Sequence, residues 1–135
     1  MLTIALAGLP PAAAKEGRTS EGEPYLSGGA SQEVRDEMLK QRNKYNLWIH
    51  TASKSGQYLA DTQVTVADSA GRTVLDTVMD GPWLFVKLKL GAYRVTARYG
   101  GQAQEKRTTI HKGDLHELVF YFDERSNAGA QELKR

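Results

Sequence analysis

Residues 80–99 read Asp-Gly-Pro-Trp-Leu-Phe-Val-Lys-Leu-Lys-Leu-Gly-Ala-Tyr-Arg-Val-Thr-Ala-Arg-Tyr. The run is a turn, a strand, a Gly turn, and a second strand that alternates apolar with polar. Asp80-Gly81 and the lone Gly91 punctuate it because glycine adopts φ > 0 without steric cost. Two short strands joined in this way need partner strands and a facing layer. The stretch therefore commits its surroundings to β structure, and it carries no catalytic group.

The same period of two runs from Asn46 onward. Strands are expected at 47–52 and around Thr62, Val64 and Val66, then at 73–79, 84–90, 93–99, 102–110 and 115–122. Turns fall at 53–57, 68–71, Gly100-Gly101 and 112–114. The 102–110 strand is mostly charged or polar, which suits an exposed edge that must not pair with other chains. Leu118, Phe120 and Phe122 supply a last core face. Seven short strands with such turn spacing predict an all-β antiparallel sandwich.

Ahead of the strands the pattern differs. Ser31 reads as a helix N-cap, since its hydroxyl accepts a bond from an orphan backbone N–H. Glu33, Asp36 and Glu37 come early and Lys40, Arg42 and Lys44 late, the order that complements a helix dipole. Val34, Met38 and Leu39 give a narrow apolar stripe, so one short helix is expected over 32–43. Residues 15–30 are polar, Gly-rich and without hydrophobic period, and read as a flexible leader. Residues 1–14 join a short apolar run to Pro10-Pro11 and an Ala-rich end. They match the apolar region and cleavage site of a secretory signal, with cleavage after Ala14, although no basic residue precedes the run. Export to the periplasm or outside the cell is the expectation. The run is too short for a membrane span, which needs roughly 20 apolar residues. The helix and sandwich occupy 31–122, and the polar tail 123–135 is expected to fray.

Composition closes off several functions. The 135 residues suffice for one domain around one core. Eighteen basic side chains against 16 acidic ones give a net charge of +2, too balanced to argue for nucleic acid. The absence of cysteine excludes disulfides and thiolate metal sites.

Taken together, Gly56, Leu59-Ala60-Asp61, Val64-Thr65-Val66, Asp68, Gly71, Asp80-Gly81, Trp83, Phe85, Leu88, Gly91, Tyr93, Val95 and Ala97 resemble the carboxypeptidase regulatory-like domain family. The resemblance covers about 47–122, and the Gly-Gly leader and helix before Tyr45-Asn46-Leu47 look like small exported bacterial versions. It implies a transthyretin-like (Ig-like) β-sandwich serving as a non-catalytic accessory or binding module, with no cofactor and a protein, peptide or glycan ligand. Thr62 stands where the family has a small Ala, and Trp83 where it has Phe. Strict alternation places Leu84, Val86, Leu88 and Leu90 on one face, whereas the family pattern buries residues 83 and 85 together with Leu88. A bulge or a strand covered on both faces reconciles the two.

Chemistry is sparse. His50, His111 and His116 show no metal-ligand spacing, although the last two flank a turn and would meet across a hairpin. Transthyretin-related hydrolases use His with Arg, which nominates His50 or His116 with Arg98 or Arg107 as an alternative. The chain ends Glu132-Leu133-Lys134-Arg135, without the Tyr-Arg-Gly-Ser signature of those enzymes. No Gly-x-Ser-x-Gly elbow or phosphate-binding Gly loop is present. As a binding surface, Trp48, Tyr58, Trp83 and Tyr99 are the candidates for a sugar or peptide platform, large rings giving contact area at low entropic cost. Tyr93 is expected to be a tyrosine-corner residue instead.

Overall fold

A computed structural model describes residues 14–57, 59–113 and 115–123. In chain order its elements are β1 (Lys15–Arg18), β2 (Pro24–Gly28), α1 (Gln32–Lys40), a 3₁₀ turn (Arg42–Lys44), β3 (Leu47–Ser53), β4 (Gln63–Asp68), β5 (Thr73–Val78), β6 (Trp83–Val86), β7 (Gly91–Tyr99), β8 (Gln102–Ile110) and β9 (His116–Phe122). The strands form two sheets, ordered β1-β2-β6-β3-β9 and β5-β4-β7-β8. The sandwich character expected from the sequence is present, with nine strands in place of seven. The seven expected strands are β3 to β9. The helix expected over 32–43 is divided into α1 and the 3₁₀ turn.

The two additional strands come from the segment expected to be a flexible leader. β2 pairs antiparallel with β6, matching Leu26 to Phe85 and Gly28 to Trp83, and β1 pairs with β2. The turn between them reaches the other sheet, where the Ser20 N–H donates to the Val74 carbonyl at 2.8 Å. Tertiary pairing supplies what local hydrophobicity lacks, which is why periodicity gave no sign of these strands. Residues 1–13, which carry most of the expected signal segment, Tyr58, Asp114 and the tail beyond Asp123 lie outside the described residues. Ala14 packs beside the helix.

A second departure concerns direction. β3 and β9 run parallel, with Leu47 opposite His116 and Ser53 opposite Phe122, whereas every other paired strand is antiparallel. The two edges on that side are stitched by amides. Gln102 donates to the Asp123 carbonyl at 3.0 Å and accepts from the Asp123 N–H, and Gln104 donates to the Tyr121 carbonyl.

Between the sheets lies a core of Leu47, Ile49, Val64, Val66, Leu84, Val86, Leu88, Tyr93, Val95, Ala97, Phe120 and Phe122, among others. A second, smaller core occupies the outer face of the five-stranded sheet. There Val34 and Met38 of α1, with Tyr45, cover Leu26, Trp83 and Phe85. The conflict over residues 83–90 is thereby resolved: β6 is buried on both faces, so its aromatics and its aliphatics each have a core. The strand ends at Val86 rather than Leu90; Leu88 still reaches the main core, while Leu90 is exposed.

Local chemistry fixes the corners. Ser31 accepts from the Val34 N–H at 3.2 Å and caps α1. Tyr93 donates its hydroxyl to the Lys89 carbonyl at 2.8 Å, the tyrosine corner, a bond with a net worth of about 1 kcal/mol. Gly100 and Gly101 both have φ > 0 (56° and 82°), as a two-residue hairpin turn with the twist of its strands requires. Among the described residues no helix is long and apolar enough to cross a membrane.

Candidate functional site

The aromatic candidates do not share one surface. Trp48 projects from β3 beside the second core and meets Trp83 edge-on, with centroids 4.9 Å apart and planes at 77°. Trp83 is only 9% exposed, because α1 and Gly29 sit over it. Tyr99 is carried by the other sheet and packs on Phe122 at 5.7 Å. Tyr58 lies outside the described residues. Trp48 and Trp83 therefore join the packing beneath α1, and the three described rings offer no coplanar exposed pair on which a sugar would stack.

His50 continues this cluster. Its ring stacks on Trp48 at 4.3 Å, and its Nε2 lies 2.7 Å from Glu117 Oε2, off the line a hydrogen bond needs. Burial pushes the His50 pKa below its ordinary 6.5, and the Glu117 carboxylate opposes that shift in part. The unfolded chain thus takes up this proton at a higher pH than the folded chain. The stability contributed by neutral His50 is present above about 6.5 and is lost as the pH falls through the folded midpoint. In an NMR titration of the ring, Glu117→Gln is expected to move that midpoint further down; an unmoved or raised midpoint would show that the carboxylate does not act on this ring.

The other histidines are placed differently. His111 and His116 do approach across their turn, with ring centroids 6.4 Å apart, and His116 Nδ1 lies 3.4 Å from Thr108 Oγ1. His50 is on the outer face of the five-stranded sheet, while Arg98 and Arg107 point outward from the four-stranded sheet, on the far side of the sandwich. His50 is therefore not brought to either arginine, while His116 of β9 lies beside Thr108 of β8. Among the described residues no group of three or more His, Asp or Glu is placed to hold a metal ion.

Among the described residues, no helix or strand layer covers the outer face of the four-stranded sheet. Along β7 the buried Tyr93, Val95 and Ala97 alternate with Arg94, Thr96 and Arg98. Register places Thr65 of β4 beside Thr96, and Arg107 of β8 directly opposite Arg94. Like charges facing each other across a ladder destabilise it. Arg107 has Glu105 at 3.9 Å, while Arg94 has no hydrogen-bond or ion-pair partner among the described residues.

At one end of this face the β4–β5 turn overhangs the two arginines. A cleft of about 360 Å³ is lined there by Asp68, Ser69, Tyr93, Arg94, Arg107 and Thr109, among others. Asp68 is occupied by its own turn: Oδ1 accepts from the N–H groups of Ala70 and Arg72, and Oδ2 from the Arg72 guanidinium. The Arg72 N–H foremost, with help from Ala70, holds this carboxyl below the usual carboxylate range. The cleft thus presents two guanidinium groups and hydroxyls, with its one lining carboxylate already engaged.

Sequence reasoning nominated Arg107 only as a hydrolase partner and passed over Arg94. The signal was available, because a two-residue turn at Gly100-Gly101 pairs Tyr99 with Gln102 and, counting outward, Arg94 with Arg107. No family model matches the chain, and no curated protein matches it.

Proposed function

We propose that this chain is an exported, non-catalytic accessory module of the carboxypeptidase regulatory-like type, which engages its partner through the uncovered face of the four-stranded sheet. The observation that carries this reading is the asymmetry of the sandwich. One outer face holds a second apolar core under α1, while the other leaves Arg94, Arg98, Arg107, Asp76 and Glu105 exposed around the half-buried Thr65 and Thr96. A surface of threonine, arginine and carboxylate offers hydrogen bonds and charge, and arginine is enriched where interfaces concentrate their binding energy. The separation of His50 from Arg98 and Arg107 supports a binding role over a hydrolase built on His50, and the perpendicular, buried setting of Trp83 speaks against a sugar platform. The Leu88, Tyr93, Val95 and Ala97 positions of the family pattern all lie in the core, which supports the resemblance.

Site-specific photo-crosslinking in cells tests the assignment. A crosslinking side chain at Thr96 is expected to trap a partner in the exported fraction, and one at Glu37 on the exposed side of α1 is not. Trapping at Glu37 alone, or recovery of the chain only in the cytosol, would overturn the reading.

A further inference from the structure

We propose that the cleft beneath the β4–β5 turn binds a small soluble phosphate-type oxyanion, held between Arg94 and Arg107. The inference rests on the uncovered face being the binding face, and it names the chemistry recognised at one end of it. Three features of the cleft support it. First, hairpin register sets Arg94 and Arg107 directly opposite each other and both line the cleft, so their like charges disfavour one another until an anion joins them. Second, arginine presents a planar fork of donors that matches phosphate or sulfate oxygens in pairs, and two forks suit a group with several equivalent oxygens. Third, the competing internal anion is engaged: Asp68 is satisfied by two backbone N–H groups and Arg72, and Glu105 reaches Arg107 only at 3.9 Å. Ser69 and Thr109 add hydroxyl donors at the rim, and about 360 Å³ admits the oxyanion with a small ester group.

The ligand is distinguished from mere ionic screening by the positions that matter. Arg98 shares the strand and the face with Arg94 but does not line the cleft. Methyl phosphate titrated into the full chain, at constant ionic strength against chloride, is expected to shift the Nε–H signals of Arg94 and Arg107 saturably. Arg94→Ala and Arg107→Ala should each weaken this binding by about tenfold. Arg98→Ala should change it less than about twofold, since exposed charges away from the ligand are screened. Neither cleft variant should lower the melting temperature, because each relieves the like-charge contact. Linear, non-saturating shifts, or equal weakening by Arg98→Ala, would overturn the proposal. Binding to vesicles of phosphatidylglycerol without binding of methyl phosphate would overturn it too, by assigning the arginines to a membrane surface. A crosslink at Thr96 with a silent phosphate titration would remove the oxyanion and leave the binding face standing.

Discussion

Phe85→Ala is expected to cost about 3–5 kcal/mol of folding stability, the range for removing a large buried aromatic ring. Phe85 is 1% exposed and sits at the centre of the second core, within 5.8 Å of the Tyr45 ring centroid and 5.1 Å of that of Trp48. Leu26 lies opposite it on β2, and Val34 and Met38 of α1 close over the same cluster. The loss should appear in urea unfolding together with faster amide exchange in α1 and the β1–β2 hairpin, since both rest on this face. Leu39→Ala, on the exposed side of the helix, should stay within about 0.5 kcal/mol. A Phe85→Ala cost under about 1 kcal/mol would mean that the helix is held by something other than this core.

Gly81→Ala is expected to destabilise by about 3 kcal/mol or more, at or beyond the upper end of ordinary overpacking. A β-carbon at this position would come within 2.5 Å of the Gly28 carbonyl oxygen and 3.1 Å of the Ala30 nitrogen, all backbone atoms that cannot turn aside. Relief requires moving β2 away from the turn into β6, where Asp80 also donates its N–H to Ser27 Oγ at 2.7 Å. The contrast is Gly17→Ala, whose new methyl would meet only the far end of the Tyr25 side chain. Thermal melts of the two variants should therefore differ sharply, and equal melting temperatures would refute the close approach at residue 81.

The parts of the fold that were legible in the sequence are those whose determinants are local. Alternation along β7, the Ser31 cap, the Tyr93 corner and the Gly100-Gly101 turn each depend on residues within a few positions of one another. The leader was misread because residues 15–30 hold few apolar side chains; Leu26 and Tyr25 are the exceptions, and they point to opposite faces of β2. Their strands exist through pairing with β6, almost 60 positions on. Parallel pairing of β3 with β9 has no local trace for the same reason. Covering β6 on both faces was one of two solutions the alternation conflict allowed, and only the position of α1 decides between them.

At the candidate site the difficulty was different. Aromatic rings draw attention because they make good contacts, yet burial satisfies them equally well, and Trp83 took that course. Arg94 drew none, and Arg98 and Arg107 drew it only as hydrolase partners, because single charged residues on a strand normally signify only solvent. What sets Arg94 apart is its opposite number, Arg107, and that is a property of register rather than of composition.

The parallel ladder between β3 and β9 has a consequence for how the molecule comes into being. β3, the first strand after α1, hydrogen-bonds β9, about 70 residues later, and Phe120 and Phe122 fill the main core from β9. Synthesis delivers the chain from its N-terminus, at about 5–20 residues per second. Contacts so distant in sequence also form late and slowly. A chain cut short before residue 116 therefore has the four-stranded sheet and the second core in hand, but lacks the β3 partner strand and the two phenylalanines that fill the main core. Docking of β9 is thus what completes the main core.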